Sequence, residues 1–192
     1  STLLPNKTTK KIPKILPIDK VEWYRCHRRI KDKNKINFLG PPGSGKTTLS
    51  IKLSQYLKSE LILLDKLLFD ENCELKVDRL VHFINSLKSK NKCIIDGTYV
   101  SLLSEERIQI IDYFIMIDCN IFVSFYRIIK RNFQKKKLNC GERFSPKLVK
   151  FLIEYHLYKK NLIINMIPND KLIIIRYDRF KWLGSILLWF RF

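Results

Sequence analysis

The chain has 192 residues, 46% of them apolar, and a formal net charge of +19. That length holds one domain with a real core and is too short for two ordinary ones; that apolar content excludes a disordered chain. The cationic excess points to an anionic partner (nucleic acid, a phosphorylated substrate or a membrane surface) or, on a plainer reading, to solvated lysine-rich faces.

Residues 1–35 read as a basic arm outside the domain proper. They carry three prolines, eleven Lys or Arg and three acids, Asp19, Glu22 and Asp32. A short helix is predicted near Val21–Lys31, and Trp23 and Tyr24 give an otherwise floppy tail some apolar grip. Such an arm suits nucleic acid or a ribonucleoprotein. The acid-free first eighteen residues also suit import into mitochondria.

From Ile36 the pattern alternates strands and helices, and the domain is expected over residues 36–178. Ile36–Leu39 is a short strand stopped by Gly40. Lys46–Lys58 follows as a helix with Leu49, Leu53, Tyr56 and Leu57 on one face. Leu61–Leu64 is a strand closing on Asp65, and Val77–Leu87 a helix with Leu80, Phe83, Ile84 and Leu87 inward. Lys92–Asp96 is a third strand, stopped by Gly97, and Ser101–Ile111 a helix with Glu105 and Glu106 in its first turn. Tyr113–Asp118 is a fourth strand, Ile121–Lys137 a long basic helix, and Leu138–Ser145 a polar break. A helix from Pro146 to about Ile164 and a fifth strand, Leu172–Arg176, complete the domain. Short apolar strands separated by helices imply an α/β fold: a doubly wound, three-layer sandwich around a parallel sheet covered on both faces.

The chemistry starts at Gly40-Pro41-Pro42-Gly43-Ser44-Gly45-Lys46-Thr47, which fits GxxxxGK[ST] at every fixed position, with a strand before it and a helix after it. Backbone amides of such a loop turn toward phosphate oxygens, and the helix that starts there adds its positive end. Lys46 places an ammonium on the β- and γ-phosphates of ATP, and Thr47 offers a hydroxyl to Mg²⁺. The predicted nucleotide-binding set runs on through Thr48.

Acids at the carboxyl ends of the strands come next, since ligands of open α/β sheets bind at that edge. Asp96 is assigned to Mg²⁺ through water. Asp65 is the candidate general base or anchor of an acceptor hydroxyl. Asp118 is given a turn or N-cap role. Arg127, Lys130 and Arg131 share a helix face. With Lys135, Lys136, Lys137 and Arg143 they lead into the break at 138–145, where a lid would sit. Arg127 and Arg131 are the candidates to neutralise the transferring phosphoryl group, whereas the lysine run reads as solvated.

These pieces together resemble the adenylate-kinase-like P-loop kinases of the topology modulation (FlaR-type) family. The resemblance runs over about residues 36–178. It is carried by GPPGSGKTTL, LILLD at 61–65, IIDGTY at 94–99, IMIDCNIFVSFYRIIKR at 115–131, CGERF at 140–144 and FLIEYHLYKK at 151–160. It implies a five-stranded sheet in the order 2-3-1-4-5, ATP on the P-loop and an arginine-bearing helical lid, with Arg127 and Arg131 on phosphate. The chain departs from the family at Thr98, where Asn is usual, and at Glu154 and His156, where tryptophans are frequent. Both changes bear on the acceptor pocket, and the acceptor is left open.

The remaining residues qualify this picture. Cysteines at 26, 73, 93, 119 and 140 are odd in number and form no CxxC pair, which argues against a zinc site or disulfide framework. Cys93 and Cys119 read as small buried hydrophobes of a reducing compartment, cytoplasm or mitochondrial matrix. No secretory signal is legible at the start, and no apolar run reaches the roughly 18–20 residues of a membrane span. His27 and His82 read as structural or exposed, and His156 as a residue that faces the acceptor or simply packs. The tail 179–192, with Trp182, Leu183, Ile186, Leu187, Leu188, Trp189, Phe190 and Phe192, needs cover from the domain itself, a protein partner or a membrane surface. Arm and tail together also suit a nucleotide-binding subunit with a structural role in an organelle ribosome or membrane complex. The principal expectation is a phosphotransferase using ATP and Mg²⁺.

Overall fold

The computed structural model describes residues 14–17, 34–68, 76–99, 104–133 and 144–176. Several expectations fall outside them: the arm helix at 21–31, the break at 138–143 with Arg143, the lysines 135–137, His27, the other three cysteines and the tail 179–192. Among the described residues no helix is long and apolar enough to cross a membrane.

Six parallel strands form one sheet: β1 (Lys14–Pro17), β2 (Lys35–Leu39), β3 (Glu60–Leu63), β4 (Cys93–Asp96), β5 (Tyr113–Asp118) and β6 (Leu172–Arg176). Their order is β1-β6-β5-β2-β4-β3. Counted from β2, the five core strands therefore run 2-3-1-4-5, the α/β P-loop NTPase order. The sixth strand was not foreseen. Four residues of the basic arm, Lys14-Ile15-Leu16-Pro17, with Pro13 before them, pair with β6 as Lys14↔Ile173 through Pro17↔Arg176. An edge position suits such a segment, because proline cannot donate to a second neighbour.

Alternation along the strands builds two apolar layers. Ile36, Phe38, Ile94, Ile115, Ile117, Ile173 and Ile175 face the helix α1 (Lys46–Leu57), which contributes Leu53 and Leu57. Tyr56, expected on that face, is 58% exposed; it lies off the stripe that Leu53 and Leu57 present. Leu39, Ile95, Phe114, Met116 and Ile174 face the other way, against α2 (Leu64–Leu68), α3 (Val77–Ser89) and α4 (Glu105–Ile110). The same layer takes in Tyr155 and, from α7 (Lys160–Met166), Ile163. Cys93 and Cys119 are buried, as expected.

Two helices stand apart. α5 (Ile121–Phe133) and α6 (Pro146–Glu154) enclose a small core of Ile128, Leu148 and Leu152. Ser145 caps α6 by accepting from Leu148 N, with Pro146 in the first turn. Between α6 and α7 the helix widens into a π-helical turn, Tyr155–Lys159.

Candidate functional site

Parallel pairing brings the carboxyl ends of the strands to one edge, with Phe38 and Leu63 both in register with Asp96. The loop 40–45 leaves β2 there and wraps the start of α1. Gly43 has φ 77°, and a Cβ on it would lie 2.5 Å from the Ser124 carbonyl oxygen, so only glycine lets the loop rest against α5. The loop is braced by a turn, Ser44 N to Pro41 O at 3.2 Å. Ser44 is fully buried, and its Oγ has no hydrogen-bond partner among the described residues.

Beneath the loop, the Thr47 hydroxyl donates to Asp96 Oδ2 at 2.5 Å. Two candidates separated by 49 residues in sequence thus become neighbours. The reason is topological: β4 lies beside β2, and strand alternation turns Asp96 to the α1 face. Thr98 completes the floor. Its Oγ1 accepts from Gly40 N at 2.7 Å and donates to Gly40 O at 2.9 Å. The departure from the family's usual Asn therefore falls on the root of the phosphate loop.

Lys46 lies in the first turn of α1 and makes no hydrogen bond or ion pair among the described residues. Its ammonium is available to a ligand. Thr48, two residues further along α1, is exposed.

Asp65 is the second residue of α2 rather than the end of a strand, because the chain turns helical at the buried Leu64. The Tyr99 hydroxyl donates to Asp65 Oδ1. Burial, then the charge and hydrogen bond of Asp65, push the Tyr99 phenol well above its ordinary range, so it stays a donor at neutral pH. Gly97 explains the closeness of the two segments. A Cβ there would lie 2.7 Å from Leu64 Cβ, so the turn after β4 presses on the start of α2. Tyr99 was missed from sequence; its signal was the DGTY run closing the third predicted strand.

The cations divide. Arg127 reaches the loop, but on its outer side: Nη1 donates to the carbonyls of Gly43 and Ser44, each at 3.2 Å. Here the guanidinium grips the backbone of the loop. Arg131 lies one turn further along α5. Asp118 is no helix cap. It accepts from Lys160 at 2.7 Å and Arg176 at 3.0 Å, while Asn120 Oδ1 caps α5 by accepting from Phe122 N. His156 sits on the π-helical turn with its ring 5.6 Å from that of Tyr155. His82 is exposed.

No protein-family model matches the chain, and no curated protein matches it. Among solved structures it is similar to a shikimate kinase from Acinetobacter baumannii in complex with shikimate, at 14% identity and a TM-score of 0.51, over 85% of this chain and 98% of that one. It is similar to a gluconokinase from Sinorhizobium meliloti 1021, also at 14% and 0.51, over 83% and 98%. A protein described as a kinase from Chloroflexus aurantiacus gives 18% and 0.52, over 83% and 97%. At such identities the likeness is one of fold and does not single out the topology modulation family within it. The chain has the α/β P-loop NTPase fold, and 83–85% of it is matched over 97–98% of these three structures.

Proposed function

We propose that the chain is an ATP-dependent phosphotransferase acting on a hydroxyl or phosphate acceptor. The contact between Thr47 and Asp96 carries this reading. A P-loop hydroxyl and a strand-end carboxylate 2.5 Å apart give the oxygen donors on which a magnesium ion is held in such enzymes. Among the described residues no cluster of three or more His, Cys, Asp or Glu could hold a metal ion. A single carboxylate and a hydroxyl are nevertheless the usual protein share for magnesium, which keeps water and takes phosphate oxygens for the rest. Bound there, magnesium would neutralise charge on the β- and γ-phosphates.

The chain's own groups supply the remainder. The loop amides and Lys46 hold the polyphosphate, and the positive end of α1 favours it. Arg127 holds the loop in shape by its carbonyls, and Arg131, farther along the same helix, is the candidate for the transferring group. Asp65 orients an acceptor hydroxyl or takes its proton, with Tyr99 fixing its other oxygen. The finer assignment to a topology modulation kinase rests on the sequence runs alone.

Incubation with γ-labelled ATP and magnesium, against a panel of nucleosides, nucleotides, RNA, shikimate and gluconate, tests the proposal. The expected result is label on one acceptor class, with ATP–magnesium binding seen by calorimetry. Absence of both nucleotide binding and transfer would overturn it.

A further inference from the structure

Arg107, in the first turn of α4, is fully buried, as is Asn37 in the middle of β2. Arg107 Nη2 donates to Asn37 Oδ1, and its guanidinium lies 5.8 Å from the ring centroid of Phe83 on α3. Burial pushes the guanidinium down only to about 10, so it is charged at neutral pH. Guanidinium has donors and no acceptor, which fixes the Asn37 amide with its oxygen toward Arg107 and its nitrogen toward the strand ends. There Asn37 Nδ2 meets the carbonyls of Phe38 at 2.9 Å, Gly97 at 3.3 Å and Ile95 at 3.5 Å. Gly97 N in turn donates to Phe38 O at 3.3 Å. The next residue, Thr98, holds both polar groups of Gly40.

These bonds form an unbroken path from α4, on the Asp65 side of the sheet, to the root of the phosphate loop, passing beside Asp96. A buried charge is weak support for stability, since an apolar side chain of similar volume often serves as well. Its distinctive effect here is orientation: a neutral residue at 107 would leave the Asn37 amide free to turn over and withdraw its donors.

We propose that Arg107 and Asn37 are positioning residues that set the placement of Gly97, Thr98 and Gly40, and through them the loop and Asp96, from the acceptor side of the molecule. The proposal rests on the phosphotransferase reading for its kinetic consequence, but its structural consequence is separately measurable.

Three variants test it. Asn37→Asp keeps an acceptor for Arg107, now charged, and deletes the donors to the three carbonyls. Arg107→Met keeps volume and deletes the charge. Arg107→Lys keeps one donor for Asn37 Oδ1. Displacement of catalytic groups by fractions of an ångström to about 1 Å costs roughly 10–100-fold, so turnover of γ-labelled ATP should fall that far in the first two variants, with KM for ATP held within about threefold. Arg107→Lys should recover part of the loss. Amide hydrogen exchange at Gly40 and Gly97, read on protein whose folding is verified by its thermal transition, should quicken about tenfold in the first two variants. Wild-type turnover and wild-type exchange in folded Asn37→Asp would overturn the proposal. If Arg107→Met does not fold, Asn37→Asp decides alone. A wild-type protein without phosphoryl transfer removes the kinase reading, whereas exchange still decides the link.

Discussion

The phosphate loop and the α5–α6 pair meet at Gly43, yet they are held by different forces. Around the loop the ties are buried polar bonds: Thr47 to Asp96, Thr98 to both groups of Gly40, Asn37 to three carbonyls. The helix pair is held by Ile128, Leu148 and Leu152, with Ile121 packed against them. Its outer side leaves Phe122 and Phe133 each 79% exposed. Directional bonds fix geometry, and fixed donors are what a developing phosphoryl charge requires, since they need no reorganisation when charge appears. A few nondirectional contacts set proximity without setting one arrangement. The π-helical turn marks the border: Tyr155 belongs to the main core, and Leu152, three residues earlier, to the helix pair's own.

The sharpest way to break this comparison is Lys46→Ala. If the loop is a preset phosphate site, removing its ammonium should cut transfer by about 10³-fold or more while leaving the fold intact. Labelled-ATP turnover and a melting curve check both halves, and an active variant would show that the loop is not the site. Asp96→Asn should cost about 10²-fold and raise the magnesium needed for half-maximal rate, because one charge is lost from the donor pair. A magnesium titration reads this, and an unchanged midpoint would separate Asp96 from the metal.

How far the sequence reaches depends on the kind of bond. The loop was legible because its whole pattern is contiguous in the sequence. β5 and β6 were legible end to end, because runs such as Phe114–Ile117 and Leu172–Ile175 are apolar on both faces of a covered sheet. Asp96 was legible as a carboxylate closing a strand. Tyr99 at Asp65 and Arg107 at Asn37 were not, because each pair is made by packing between segments 34 and 70 residues apart. Nothing local marks Asn37, a polar residue in the strand Lys35–Leu39, as the amide a buried guanidinium will meet. Asp118 misled for the same reason. Its cations come from Lys160 and Arg176, and both lie beyond the segment that determines a local cap. The β1 edge strand escaped because prolines and lysines speak against a strand until an edge needs one.

Truncations sharpen the packing side. Leu64→Ala, in the main core beside Gly97, should cost about 3–4 kcal/mol, and Leu152→Ala, in the α5–α6 pair, about 2 kcal/mol, because the smaller cluster collapses onto a smaller void. Denaturant unfolding measures both. Leu64→Ala should also slow transfer through Gly97, whereas Leu152→Ala should speed exchange within α5 and α6 and leave β4 protected. Equal costs and equal exchange patterns would erase the distinction between the two regions.

The smallest effect belongs to the border itself. Burial, and next the charge of Lys160, hold the His156 imidazole below its ordinary 6.5, with Asp118 opposing. A histidine depressed in the folded state takes up its proton more readily when unfolded, so the unfolded chain gains protons first as the medium acidifies. Stability from this residue is therefore full above 6.5 and drains away as pH falls through that value, levelling off once the folded-state value is passed. Melting temperature followed from about pH 8 to about pH 5 should decline more steeply in the wild type than in His156→Gln, which removes the titration and keeps a polar side chain. Identical slopes would mean that the imidazole is as well solvated in the folded chain as in the unfolded one. A steeper decline in the variant would mean that Asp118, not burial, governs the ring, and the π-helical turn would then belong electrostatically to the ion pairs at the sheet's edge rather than to the apolar border between the two cores.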